Sequence, residues 1–172
     1  VVLSKKIHER MQQVKTFPRT LIVIIQDSAN GKFLLNFQNN KFIPTVNEVQ
    51  YNVPDSYNDI TFEKGLLKLD FTDYIAPRVW ERSTYKFLLK NNSFTLIGAD
   101  VHFNQGTTGD SGETSYNFLT KRGIEIYTPY NLDKDRPEKS QTTNFNIELT
   151  EIRTLNNMTE FKTWEVAKNK FL

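Results

Sequence analysis

Residues 80–103 read WERSTYKFLLKNNSFTLIGADVHF, and this stretch decides the fold class. Apolar and polar residues alternate on both sides of Asn91-Asn92, as they do in strands with one buried face. Asparagine is a common turn residue, so this pair predicts the turn of an antiparallel hairpin. Tyr85, Phe87 and Leu89 would share one face of the first strand. The alternation places five residues of the second strand on one face: Phe94, Leu96, Gly98, Asp100 and His102.

The same signals recur along the whole chain. Residues 20–25 are β-branched and apolar almost throughout, which predicts a central strand buried on both faces. Asn30-Gly31 then predicts a turn that returns the chain as a paired strand over residues 32–37. Further strands are predicted at residues 1–3, 42–43, 60–62, 66–71, 114–119, 124–128 and 145–152.

Short strands at intervals of roughly 8–12 residues are typical of all-β domains. We therefore predict a mainly β fold, an antiparallel meander or sandwich or a partly open barrel built of hairpins. At most one or two short helices are expected, at residues 5–15 and in the tail, where a strand over residues 161–166 is the favoured alternative. A length of 172 residues fits a single β-rich domain, residues 1–172.

Composition excludes several classes of function. The chain has no cysteine, so disulfides and zinc–thiolate sites are ruled out. A net charge of +2 gives no basic surface for nucleic acid. No apolar run reaches the ~20 residues of a membrane-spanning helix. Because the chain starts at Val1 without methionine, we expect a trimmed or processed N-terminus.

Three motifs carry a resemblance to a known family: PRTLIVI (residues 18–24), NSFTLIGAD (residues 92–100) and SYNFLT (residues 115–120). With them, residues 18–123 resemble a poorly characterised family of secreted or periplasmic bacterial β-rich proteins of unknown function. The chain departs from that family at residues 121–123, where Lys-Arg precedes the glycine, and it lacks the cysteine segment of many relatives. The resemblance implies an exported location, periplasmic or secreted, and assigns no activity to any residue.

Catalytic and metal-binding candidates are weak. Asp100 and His102 stand two apart on a predicted strand, so both side chains would point to one face, where an aspartate can orient a general base. No nucleophile motif accompanies them. The only other histidine is His8, so no zinc spacing exists, and residues 131–142 depart from a calcium loop. We expect no cofactor and no metal. Four acidic residues are candidates for a carboxylate pair: Asp70, Asp73, Glu81 and Glu113.

The binding candidates lie in three predicted loops, residues 44–57, 105–112 and 129–140. Loops carry binding functions more often than cores do, and exposed tyrosines can stack on sugars or anchor a partner protein. The candidate binding residues are Tyr51, Tyr57, Tyr130, Thr107 and Asp110.

These observations predict a non-catalytic binding or protein-interaction module of the bacterial cell envelope, with an unknown protein or glycan partner. Two alternatives stay open. One is a hydrolase that uses carboxylates, and the other is an immunity-type inhibitor of a secreted toxin.

Overall fold

The computed structural model describes residues 2–4, 16–17, 19–44, 46–47, 55–149, 151–158 and 162–172. Within these ranges the chain forms sixteen β-strands and no helix. Every strand pair is antiparallel. The predicted mainly β, antiparallel fold is therefore confirmed, while the helix considered for residues 5–15 lies outside the described ranges.

The strands, in chain order, are β1 (Val2–Ser4), β2 (Thr16–Phe17), β3 (Arg19–Gln26), β4 (Phe33–Asn39), β5 (Val46–Asn47), β6 (Tyr57–Glu63), β7 (Leu66–Ala76), β8 (Val79–Lys90), β9 (Ser93–Gln105), β10 (Asp110–Asn117), β11 (Arg122–Thr128), β12 (Tyr130–Asn131), β13 (Arg136–Pro137), β14 (Gln141–Asn146), β15 (Glu165–Ala167) and β16 (Lys170–Phe171).

Seven of these strands form one large sheet in the order β14-β11-β10-β9-β8-β7-β6. The β6–β7 hairpin turns at Lys64-Gly65 and the β8–β9 hairpin turns at Asn91-Asn92. All four turn residues have positive φ, as a two-residue type I′ turn requires. Among the described residues, β6 and β14 do not pair with each other, so the sheet is an open meander and not a closed barrel.

One face of the large sheet is buried and the other is polar. Leu69, Tyr85, Ala99 and Tyr116 lie side by side across β7, β8, β9 and β10, and all four are buried. The neighbouring row on the opposite face contains Asp70, Thr84, Asp100 and Ser115. This alternation between a core face and a solvent face is the pattern that the sequence predicted for these strands.

The predicted face of β9 is wrong in one respect. Phe94 and Leu96 lie on the buried face with Ala99, whereas Asp100 and His102 lie on the polar face. The cause is a register shift between β8 and β9 that leaves Ile97 as an extra residue. A β-bulge of one residue reverses the alternation beyond it. The sequence carries this reversal, because the apolar residues after Ile97 are Ala99, Val101 and Phe103, at odd positions.

A second layer covers the buried face. It contains the small sheet β1-β3-β4 and the C-terminal segment from residue 147 onward. Asn39 ties the two together, because its side-chain amide donates to the carbonyls of Leu155 (2.9 Å) and Met158 (3.0 Å). The result is a two-layer packing with a contiguous core between the layers.

Phe42 and Ile43 were predicted as a short strand, and this prediction is wrong. The two residues lie in a bend, and both are buried. The Asn39 side chain shapes this bend by accepting hydrogen bonds from the amides of Lys41 (2.8 Å) and Phe42 (2.9 Å). The Phe42 ring therefore enters the core between the layers.

The C-terminal part differs from prediction in its boundaries. A strand was predicted over residues 145–152, but β14 ends at Asn146 and the described residues 147–149 and 151–152 form no strand, so most of that prediction is wrong. In the tail, the strand alternative is closer than the helix, since Glu165–Ala167 forms β15 and pairs with β16. Residue 161, where that strand was predicted to begin, lies outside the described ranges.

Candidate binding site: an apolar slot beside strand β3

Strand β3 is only partly covered. It was predicted to be buried on both faces, and its first half agrees, because Leu21 is fully buried. Its second half does not, because Ile24 is 53% exposed. Towards the hairpin tip apolar residues of both strands are exposed, Leu34 of β4 among them.

Between this uncovered half of β3 and the large sheet lies an apolar slot of about 500 Å³. None of the described residues that line it is charged. Its floor includes Leu67 and Phe94, which are also members of the core, so the slot continues the core to the surface. The lining residues are Ile22, Val23, Ile24, Ile25, Gln26, Ile60, Phe62, Leu67, Leu89 and Phe94.

The rim of the slot is apolar as well. In β4, Phe33 is 72% exposed and Leu35 is 62% exposed. They pair with Gln26 and Ile24 of the slot wall, so the exposed apolar surface is continuous across the hairpin. On the facing wall Phe62 is 57% exposed and rests edge-on against Phe94. Contiguous apolar surface of this kind marks an interaction site in soluble proteins.

The hairpin that carries the slot has an ordered turn. The Asp27 carboxylate accepts hydrogen bonds from the Ala29 amide (2.9 Å) and the Asn30 side chain (2.7 Å). The Asn30 side chain in turn accepts a bond from the Lys32 amide (2.8 Å). Gly31 adopts φ of 71°, which its lack of a side chain permits. The Asn-Gly turn predicted from the sequence is therefore present and holds the two strands together.

Asp100 and His102 point to the same face, as predicted, and each has partners of its own. The Asp100 carboxylate is bound by Lys86 and accepts a hydrogen bond from the Ser115 hydroxyl (2.9 Å). The nearest acidic partner of His102 is Glu113, at 3.9 Å from Nδ1. Asp100 and His102 line separate shallow depressions of about 700 and 270 Å³.

Two of the four acidic candidates meet on the other face of the sheet. Asp73 and Glu81 are paired directly across β7 and β8. Lys162 bridges them, with Nζ at 2.8 Å from Asp73 and 3.0 Å from Glu81. Burial lowers the pKa of the Lys162 ammonium, but its hydrogen bonds to both carboxylates outweigh this and raise the pKa. The two carboxylates therefore share one ammonium, which offsets part of their charge.

Tyr57, a predicted binding residue, is part of the structural framework. Its ring lies edge-on against Phe71 and under the guanidinium of Arg19, which also binds Asp55. Burial and the nearby Asp59 charge raise the pKa of the Tyr57 hydroxyl. Tyr51 lies outside the described residues.

Three predicted binding residues, Thr107, Asp110 and Tyr130, come together at the end of the large sheet opposite the slot. Asp110 accepts a hydrogen bond from the Tyr130 amide (2.8 Å), which lowers the pKa of its carboxyl. The Tyr130 hydroxyl donates to Asp135 (2.7 Å), and its ring covers Gly109. Thr107 is exposed at the loop tip. Two of the three predicted loops, residues 105–112 and 129–140, meet here, and Asp110 and Tyr130 mainly hold them in place.

Sequence reasoning missed the slot, although its signal was present. Residues 20–25 and 33–35 are apolar without alternation, and such runs normally indicate a strand buried on both faces. Residues 20–25 therefore predict a core strand, because nothing in the local sequence shows how far the second layer is buried.

Comparison with protein-family models, with curated proteins and with solved structures found no match for this chain. The described residues include no helix long and apolar enough to cross a membrane. In the same part of the chain, no three histidine, aspartate or glutamate side chains are grouped to hold a metal ion.

Proposed function

We propose that this domain is a non-catalytic interaction module that binds a partner protein through the apolar slot and the β3–β4 hairpin. The observation that carries the proposal is the exposed apolar surface of Ile24 and Phe62 in the slot, together with exposed Phe33 and Leu35 on the strand paired with its wall. Leaving such residues in water is unfavourable by roughly 25 cal/mol for each Å² of apolar surface. A partner that covers them recovers this free energy.

The resemblance of residues 18–123 to exported bacterial proteins supports a location in the bacterial cell envelope, periplasmic or secreted. In that setting an immunity-type inhibitor of a secreted toxin is one form of the proposed module, since it also works by covering a protein surface. The hydrolase alternative has less support, because Lys86 and Ser115 bind Asp100 and Lys162 bridges Asp73 and Glu81.

Glycan binding is a second candidate, and the polar face of the large sheet favours it. Tyr74 and Trp80 are paired across β7 and β8 on that face, and Tyr74 is exposed. Trp80 also lines the depression that contains His102 and Glu113. Aromatic rings beside polar groups suit stacking on a sugar. Titration of soluble glycans with the wild type and Trp80→Ala checks this candidate, and tryptophan-dependent binding is its expected result.

The test of the interaction module is affinity capture with a matched control. The double variant Phe33→Ser/Leu35→Ser removes two exposed apolar side chains at the slot, and Leu119→Ser/Leu132→Ser removes two exposed leucines elsewhere. Exposed substitutions change stability by about 0.5 kcal/mol or less, so all forms should fold, as thermal unfolding can verify.

Each form is used as bait in a detergent-solubilised envelope extract from the source organism, and captured proteins are identified by mass spectrometry. We expect one protein to be enriched by the wild type and the control and lost by the hairpin variant. Equal capture by the hairpin variant, or no specific capture by any form, contradicts the proposed function.

A further inference from the structure

On the polar face of the large sheet, two basic residues flank a gap. Lys86, Gly98, Asn117 and Arg122 are direct cross-strand neighbours on β8, β9, β10 and β11. Gly98 has no side chain to fill its place in this row, and the Lys86 stem lies close to it, with Cδ 3.9 Å from the position of an added Cβ. Lys86 and Arg122 both line the depression of about 700 Å³ that opens here.

The depression is positively charged. Among the described residues that line it, the charged ones are Lys86, Arg122 and Asp100, which leaves one positive charge in excess. The two oxygens of Asp100 are bound by Lys86 and by the Ser115 hydroxyl. Arg122 is exposed and has no acidic partner in the part of the chain that the structure describes. The Arg122 guanidinium is therefore the group that a singly charged anion would meet.

The rest of the lining suits a hydroxyl-bearing ring. Asn117 Oδ1 accepts a hydrogen bond from the Thr120 amide (3.0 Å), and no described residue bonds the Asn117 side-chain N–H groups or the Thr120 hydroxyl. Ile124, 45% exposed, adds an apolar contact at the same depression. A volume of about 700 Å³ is in the usual range of small-molecule sites and is too large for a carboxylate alone.

We propose that this depression binds an acidic sugar, a uronic acid, through its carboxylate. The planar fork of Arg122 binds the carboxylate with two parallel hydrogen bonds, and the Lys86 ammonium adds a second charge-assisted contact. The sugar hydroxyls bond to Asn117 and Thr120. This inference goes beyond the proposed function, because the depression lies on the opposite face of the sheet from the slot. It also shares no lining residue with the depression beside Trp80.

Two other ligands suit the charges less well. A phosphate monoester carries a charge of roughly −1.5 to −2 at pH 7, which exceeds the positive charge of the lining and is repelled by Asp100. A divalent cation would meet a single carboxylate and would be repelled by Lys86 and Arg122.

The test is an NMR titration of the isotope-labelled whole chain at pH 7 and low salt. The probes are methyl glucuronide, methyl glucoside, which has a hydroxymethyl group in place of the carboxylate, sodium acetate and inorganic phosphate. Amide shifts of Ser115, Asn117 and Thr120 report binding. The variants are Arg122→Gln and Asp100→Asn, and the matched control is Arg136→Gln, an exposed arginine outside the depression.

We expect methyl glucuronide to shift these amides and the glucoside and acetate to bind at least about ten-fold more weakly, because each lacks part of the hydrogen bonding. Arg122→Gln should weaken glucuronide binding by a similar factor, whereas Arg136→Gln should leave it unchanged. Asp100→Asn removes the negative charge of the lining, so it should tighten binding by roughly two- to five-fold, the effect of a partly exposed charge.

Several results would overturn the proposal. Equal binding of the glucoside shows that the carboxylate is not recognised, and equal binding of acetate shows that the sugar is not. Tighter binding of phosphate identifies a phosphate site. Absent shifts, or shifts that Arg122→Gln leaves unchanged, exclude this depression, and loss of binding in Trp80→Ala places the sugar in the other one. None of these results bears on the slot, so capture of a partner protein tests the interaction function separately.

Discussion

Replacing Phe42 with alanine tests the packing of the second layer against the large sheet. The Phe42 side chain is fully buried, and its ring makes edge-on contacts with Phe71, Tyr85 and Phe87 at centroid distances of 5.6, 5.1 and 6.1 Å. Phenylalanine-to-alanine changes in cores cost about 3–5 kcal/mol. Aromatic pairs add ~0.5–1.5 kcal/mol each beyond burial, so three such pairs place this loss at the upper end, about 4–5 kcal/mol.

Urea unfolding followed by tryptophan fluorescence and circular dichroism measures the effect, with Phe33→Ala as the exposed control. The control should change the free energy of unfolding by about 0.5 kcal/mol or less. A domain of this size has ~5–15 kcal/mol of stability, so Phe42→Leu, which keeps most of the buried volume, provides an intermediate variant that folds. A loss below about 1.5 kcal/mol for Phe42→Ala would refute the placement of this ring at the centre of the core.

Three further predictions concern individual contacts. In Gly123→Ala the new Cβ would lie 2.1 Å from the Phe145 ring, so we expect the free energy of unfolding in urea to fall by about 1–3 kcal/mol. Adding Phe145→Ala should restore part of this loss, and strictly additive losses in the double variant would contradict the clash. Lys162→Met leaves the two facing carboxylates that it bridges in repulsion, so the variant should be less stable than the wild type at pH 7, as urea unfolding measures; an unchanged free energy of unfolding would disprove this. Burial alone would raise the pKa of the Asp55 carboxyl, but hydrogen bonds from Arg19 and from the Tyr57 amide outweigh burial, so the net pKa is lowered from 3.8. The stabilisation by the Arg19–Asp55 pair is therefore present above about pH 4 and is lost as the pH falls through the lowered pKa of the folded state. Asp55→Asn should remove that part of the acid dependence at a cost of roughly 1 kcal/mol at pH 7, and an unchanged pH profile would argue against the pair.

The predicted features that the structure confirms are local ones. The turns predicted at Asn30-Gly31 and Asn91-Asn92 are both present, because glycine and asparagine tolerate the backbone angles that tight turns need. The buried faces of β7 and β8 followed from alternation alone. The interaction function predicted from the sequence stays a prediction. The surface proposed for it is the apolar slot beside β3, and not the loops that contain Tyr51, Tyr57 and Tyr130.

The features that sequence reasoning missed depend on distant parts of the chain. The bulge at Ile97 arises from pairing between β8 and β9, and it moves Asp100 and His102 to the polar face. The bridge from Lys162 to Asp73 joins residues 89 positions apart. The ion pair leaves no periodic signal in the sequence. The bulge does leave one, because the apolar residues stand at even positions up to Leu96 and at odd positions from Ala99 to Phe103.

The sequence by itself determined the antiparallel hairpins, their turns and the apolar character of β3, because turn chemistry and side-chain alternation act over a few residues. Only the tertiary structure decided which apolar residues are covered. Leu21 and Phe42 of the second layer are buried against the large sheet, whereas Ile24 of the same layer is exposed, so one half of an apolar strand is core and the other half is surface. Burial depends on what lies opposite a residue, and that is set by long-range packing.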